Sequence, residues 1–176
     1  MKKFLQFSGL IALVVAIVGF ILMMATHAFV YANGSVHGWY SGVAAIFGNG
    51  QYLAGVGGIS AVDTFSGNLA WSALLAWIFV LVAMLILCLG VILPLLKVKA
   101  LEKWAGLLNL IAVGLLIVGG VFVFVSLPAF AGANEWSNTD YWSLGAGWVI
   151  GGILYIVAGA LAIAPAAADF LGKKKK

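Results

Sequence analysis

The stretch VAAIFGNGQYLAGVGGISAV, residues 43–62, decides how this chain folds. It is twenty residues long, uncharged, and apolar enough to be counted as a membrane span. If it crosses the bilayer the chain has five spans; if it folds outside, the chain has four. The side on which every later loop lies follows from that choice.

Composition sets the class first. With 65% hydrophobic and 8% charged residues in 176, and a mean hydropathy of +1.18, the chain cannot cover a water-soluble globule with polar surface. Three long apolar runs, 69–96, 104–128 and 144–164, each exceed the roughly 20 residues needed to cross a hydrocarbon core about 30 Å thick. A fourth, 4–30, follows Lys2 and Lys3. Thr26-His27-Ala28 resembles a signal-peptidase site, but a signal core runs about 7–15 residues and this one is longer, so an uncleaved first span is expected.

All nine basic residues are lysines, and all flank the apolar runs. With residues 43–62 outside the membrane, Lys2, Lys3, Lys97, Lys99, Lys103 and Lys173 to Lys176 all fall on the cytoplasmic side. With 43–62 spanning, seven of the nine move outside, against the positive-inside bias. Five glycines, with Asn49 and Gln51 among them, also make 43–62 a poor helix. The expected fold is therefore an all-α transmembrane four-helix bundle with both termini cytoplasmic. Outer loops take 31–68 and 129–143, the inner loop 97–103, and an inner tail 165–176. Lys97, Lys99, Lys103, Lys173 and Lys174 act as orientation signals, and the positive charge implies no nucleic-acid partner.

The first outer loop reads as a small β-rich cap. Asn33-Gly34 between runs rich in aromatic and β-branched residues is a hairpin signal, and Val43–Phe47 with Gln51–Val56 could form a second hairpin about Gly48-Asn49-Gly50. An irregular glycine-rich loop on the membrane is the alternative. Trp71, Trp104, Trp136, Trp142 and Trp148 lie near span ends, where an amphipathic ring suits the headgroup region. In the last span Gly145, Gly152 and Gly159 recur every seven residues and open a close-packing face, for a neighbouring helix or for a second copy.

A four-span chain with both ends inside, a long first outer loop and a short second one resembles the claudin-like tetraspan superfamily; in size it is also similar to small bacterial membrane proteins. Trp39 could match a tryptophan of the superfamily's first-loop motif. The motif's Gly-Leu-Trp element and its cysteine pair are missing, and the single cysteine, Cys88, lies in the second span. The cap must therefore hold together without a disulfide, and a junction-forming role does not carry over.

Catalytic chemistry is sparse. The spans carry no ionisable residue at mid-membrane, where transporters and pumps place theirs. Asn109 is expected to hydrogen-bond between helices, and Cys88 to pack as a small apolar residue. His27, His37, Asp63, Glu135 and Asp140 lie in the outer loops without a ligand spacing, so no catalytic, cofactor or metal site is expected, and no enzyme. The expected role is structural or interactive: the helices sit in lipid, while an outer surface with Trp39, Tyr40, Phe47 and Tyr52 meets a membrane-protein partner or another copy. The alternative is a small channel or transporter, or an accessory subunit of a larger transport complex. The short loops favour a bacterial plasma membrane; the terminal lysines would also fit an endoplasmic-reticulum retrieval signal in a eukaryotic host.

Overall fold

The computed structural model describes residues 2–95 and 99–171, with side chains described for 7–90, 92 and 106–167. Four helices are long and apolar enough to cross a membrane: α1 (Lys2–Ala25), α3 (Trp71–Leu95), α4 (Lys99–Phe124) and α6 (Ala146–Leu171). A short helix, α2 (Gly42–Phe47), precedes α3, and another, α5 (Ser126–Ala133), follows α4. Among the described residues there are five strands: β1 (His27–Asn33), β2 (Val36–Ser41), β3 (Asn49–Val56), β4 (Ile59–Ser66) and β5 (Trp142–Leu144). The protein is a multi-pass membrane protein, and its fold is not purely helical.

The long helices form an antiparallel ring in which α1 packs on α6, α6 on α4, α4 on α3, and α3 back on α1. Their inner faces are small: Ala12, Ala16, Ala73, Ala76, Ala83, Ala112, Ala158 and Ala162 are buried. Their outer faces are large, with Ile78, Val82, Leu85, Leu89 and Ile92 at alternating four- and three-residue steps along α3, and Ile150, Ile153 and Val157 along α6. In lipid, apolar bulk is not driven inward, and close packing of small residues holds helices together instead. A Cβ added at Gly19 of α1 would lie 2.7 Å from the Tyr155 ring and 3.2 Å from the Gly151 carbonyl. One added at Gly120 of α4 would lie 2.9 Å from the Gly152 carbonyl. Thus α6 touches both neighbours backbone to backbone. Gly152 and Gly159 face α4, whereas Gly145 lies just before α6 against the His27 carbonyl. The three serve packing within one chain, though not on one shared face.

The long helices do not share the bounds of the apolar runs. Strand β1 begins at His27, so the first long helix ends at Ala25, short of residue 30, with Thr26 Oγ1 donating to the Leu22 carbonyl at 2.7 Å. The third long helix begins at Lys99 and ends at Phe124, so Lys99 and Lys103 belong to it rather than to a loop. Residues 126–133 form α5, with Pro128 in its first turn, where a missing amide hydrogen is tolerated. The last helix runs to Leu171 with Pro165 inside it, so the inner tail begins later than residue 165. Lys97, Lys173 and Lys174 lie outside the described residues. Trp148, an interfacial ring by sequence, is fully buried, and its Nε1 donates to the Met23 carbonyl at 2.9 Å.

All strands join one antiparallel sheet in the order β4-β3-β2-β1-β5, at the end of the bundle where α1 and α4 finish and α3 and α6 start. The opening stretch is neither a span nor the expected hairpin. Val43–Phe47 lies in α2: Ser41 Oγ caps it by accepting from the Ala44 amide at 3.2 Å, and Gly48, at φ +73°, ends it. Ala44, Ala45 and Ile46 are buried where the sheet meets the bundle. The second hairpin turns instead at Gly57-Gly58, whose φ values of +59° and +85° are those a tight two-residue turn demands. The first turns at Gly34-Ser35, one residue later than Asn33-Gly34.

Replacing Gly19 by Val should separate α1 from α6 and destabilise the bundle by about 1–3 kcal/mol. Ile153→Ala, on the outer face, should change stability by less than about 0.5 kcal/mol. Thermal unfolding in a mild detergent measures both, and the reverse ranking would contradict the small-inside arrangement.

Candidate interaction face of the sheet

Strand register puts alternate residues on two faces. One face carries Phe29 and Tyr31 of β1, Val36, Gly38 and Tyr40 of β2, Tyr52, Ala54 and Val56 of β3, Ile59, Ala61, Asp63 and Phe65 of β4, and Trp142 of β5, paired across the ladders. Its half nearer the helices closes around α5. The Tyr40 ring lies 4.9 Å from Phe65, 5.2 Å from Phe130, 5.5 Å from Trp142, 5.7 Å from Trp136 and 5.8 Å from Tyr52. Phe130 in turn lies 4.9 Å from Phe29, and Phe29 meets Trp148 at 5.8 Å. Rings arranged tilted or edge-on each add about 0.5–1.5 kcal/mol beyond burial. This cluster ties the sheet to α5 and to the start of α6.

A polar clasp closes the same end. Asn134 Oδ1 accepts from the Asn68 amide at 2.9 Å, Asn134 Nδ2 donates to the Asn68 carbonyl at 2.8 Å, and Asn68 Nδ2 donates to the Ala133 carbonyl at 2.7 Å. These bonds join the segment before α3 to the end of α5. With Cys88 the single cysteine, the clasp and the ring cluster fasten the sheet end.

The four aromatic residues expected to form one surface are divided. Tyr40 and Tyr52 share a face but are half-buried and stacked on each other. Trp39 is on the opposite face, stacked on His27 with centroids 4.1 Å apart and planes 11° off parallel, beside a cleft of about 350 Å³ that includes Thr26, Ser41 and Gln51. Phe47 sits on α2 with its ring edge-on to Trp77 at 5.3 Å. The residues that organise the face are instead Phe65, Phe130, Trp136 and Trp142, together with Asn68 and Asn134. Their only sequence signal is the density of aromatic residues and asparagines in two separate loops.

Among the described residues no three His, Cys, Asp or Glu side chains come together as a metal site. Asn109 is buried between α4 and α3, with its Oδ1 2.8 Å from a Cβ added at Gly90. The apolar part of the sheet lies on its free margin. Val56, Ile59 and Val62 are 59%, 82% and 55% exposed, and β4 is an eight-residue edge strand with no strand beyond it.

Burial in the ring cluster raises the Tyr40 phenol above its ordinary value of 10.0, and neighbouring Tyr52 adds to the rise. The cluster's contribution is complete below pH 10 and is lost as pH climbs through the raised value, because the unfolded chain releases that proton first. Alkaline titration followed by tryptophan fluorescence should show the sheet end loosening above pH 10, and Tyr40→Phe should reduce that loss. An unchanged alkaline profile in Tyr40→Phe would exclude Tyr40 as a source of it.

The chain matches no protein-family model and no curated protein sequence.

Proposed function

We propose that this protein works by contact: its helices hold it in a bacterial plasma membrane, surrounded by lipid, and its sheet meets a membrane-protein partner or a second copy outside the cytoplasm. The carrying observation is the free margin of the sheet, the eight-residue edge strand β4 with Ile59 and Val62 exposed and Asp63 its single charge, and with Val56 of β3 exposed beside it. Exposed apolar edges invite strand or side-chain docking, and edges that are not used are blunted by charged side chains, lysine above all, or by proline. Neither lysine nor proline occurs in β3 or β4, and Asp63 is the one charge there.

The lysines support the orientation. None occurs between residues 4 and 96 or between 104 and 172, and Lys99 and Lys103 begin α4 at the end away from the sheet. The positive-inside bias then makes that end cytoplasmic. The likeness to claudin-like tetraspan proteins remains one of layout.

Two measurements test this reading. In a Cys88→Ala background, Asn49→Cys should react with a membrane-impermeant thiol reagent applied to intact cells; protection there, with reaction only after lysis, would overturn the orientation. A photoreactive residue at position 59 should give a discrete adduct in membranes, at twice 18.4 kDa for a second copy or at another defined mass for a partner. The same probe at position 153, on the outer face of α6, should give none. Absence of any protein adduct from position 59 would reject the interaction.

A further inference from the structure

The exposed half of the aromatic sheet face contains a trough that the ring cluster does not fill. Tyr31, Gly38, Ala54 and Ala61 lie in register across β1, β2, β3 and β4. From β2 outward this row contains only the smallest side chains, and it forms a floor running across the strands. Gly38 has no room to grow, since an added Cβ would lie 2.8 Å from the Leu53 carbonyl. The next row toward the bundle, Tyr40 and Tyr52, makes one wall, and the row toward the hairpin tips, Val36 and Val56, makes the other. Tyr31 and Trp142, with ring centroids 5.2 Å apart, close the β5 end. The cavity measures about 210 Å³.

We propose that this trough binds a trimethylammonium group, as a small quaternary cation such as choline carries it. Three observations converge. Tyr31, Tyr40, Tyr52 and Trp142 line the cavity along one side and one end, and aromatic rings attract cations through the ring quadrupole. Charge complements them: residues 26–70 and 125–145 hold Asp63, Glu135 and Asp140 and no lysine, so the field at this end draws cations. Asp63 is the ladder partner of Tyr52, and Asp140 precedes Tyr141, whose ring lies edge-on to Tyr31 at 6.2 Å. Finally, the Val36 and Val56 wall is apolar, and a methylated nitrogen, which has no N–H donor to satisfy, can rest on it without leaving a hydrogen bond unmade.

This inference deepens the contact reading by naming a ligand chemistry for the same face, and its test needs no partner. The full chain, purified in a maltoside detergent free of choline groups, is titrated with choline, with phosphocholine, and with 3,3-dimethylbutan-1-ol, the uncharged carbon counterpart of choline. Tryptophan fluorescence, reporting through Trp142 and Trp136, should saturate with choline at a Kd of about 1 mM. The neutral counterpart should bind at least about tenfold more weakly. Phosphocholine binding more weakly than choline identifies a free cation as the source, and tighter binding a lipid or polymer headgroup; both support the trimethylammonium assignment. Ala54→Leu, which fills the floor, and Tyr52→Leu should each weaken choline binding about tenfold, while Tyr52→Phe keeps it within about twofold. Unchanged unfolding temperatures confirm that the variants are folded. No saturable signal, equal binding of the uncharged counterpart, or unaltered binding in folded Ala54→Leu would each overturn the proposal. A negative titration beside a positive crosslink at position 59 would sink the trough alone, and the opposite pair of results would sink the contact reading alone.

Discussion

The approach of α6 to α1 and α4 at the distance of bare backbone is the constraint on which the rest of the structure depends. Gly19 faces Gly151, and Gly120 faces Gly152, so one helix can touch two neighbours at once. The α1 seam continues beyond the bilayer-length segment. Gly147 packs on Thr26, Gly145 on the His27 carbonyl, and Gly42 on the Met23 carbonyl, while the Gly145 amide donates to the Ala28 carbonyl at 2.8 Å. Larger residues at those points would displace β1 from the top of α6, and every strand is registered directly or indirectly on β1. The position of the sheet is thus a consequence of helix packing. Each of the mid-helix glycines, Gly19, Gly120, Gly151 and Gly152, costs about 1 kcal/mol of helix propensity relative to alanine, a cost that close contact offsets in lipid, where no apolar burial would do so.

At the sheet end the problem is different, because no disulfide can crosslink it. Three asparagine hydrogen bonds at about 0.5–1.5 kcal/mol each give a total of the same order as the roughly 2–4 kcal/mol of a typical disulfide. The ring cluster adds a similar amount through its tilted and edge-on pairs. The two devices work at different places: the clasp joins the connections flanking α3 and α5, whereas the rings join the middle of the sheet to Phe130. Helix α2 supplies the third support. Its buried Ala44, Ala45 and Ile46 fill the space under the strands, and the Ala70 amide reaches the Ala45 carbonyl at 2.9 Å just before α3 begins.

Hydropathy and lysine placement made the number of long helices legible, because crossing a hydrocarbon layer imposes length and composition at once. The local form of residues 43–56 was not legible in the same way. Val43, Ile46 and Phe47 suit a strand by propensity, yet the Ser41 cap, the Gly48 stop and burial beneath the sheet select a helical turn. Which glycines turn the hairpin is a long-range matter. Gly48-Asn49-Gly50 and Gly57-Gly58 both carry turn signals, and only pairing of Tyr40 with Tyr52 and of Val36 with Val56 decides between them. Strand β5 is three residues long and exists through its pairing with β1, so no periodicity announces it. Trp142 and Trp148 read as interfacial anchors because such rings are common at span ends, but tertiary contacts with Tyr31, Tyr40 and Phe29 recruit them instead.

The candidate site follows from the same register that closes the core. Tyr40 is at once the centre of the ring cluster and part of the trough wall, and its position is over-determined by Phe65, Phe130, Trp136 and Trp142. Tyr52 is held by stacking on it. A wall fixed by packing in the empty protein loses little conformational entropy when a ligand arrives, so even a small cation can retain most of its contact energy as affinity. The floor is equally rigid, because Gly38 and Ala54 are paired ladder residues rather than loop residues. The side chains at the free margin, Val56, Ile59 and Val62, are each more than half exposed. The row at the hairpin tips therefore serves twice, with Val36 and Val56 as the outer wall of the trough and Val56 and Ile59 as a surface open to another molecule.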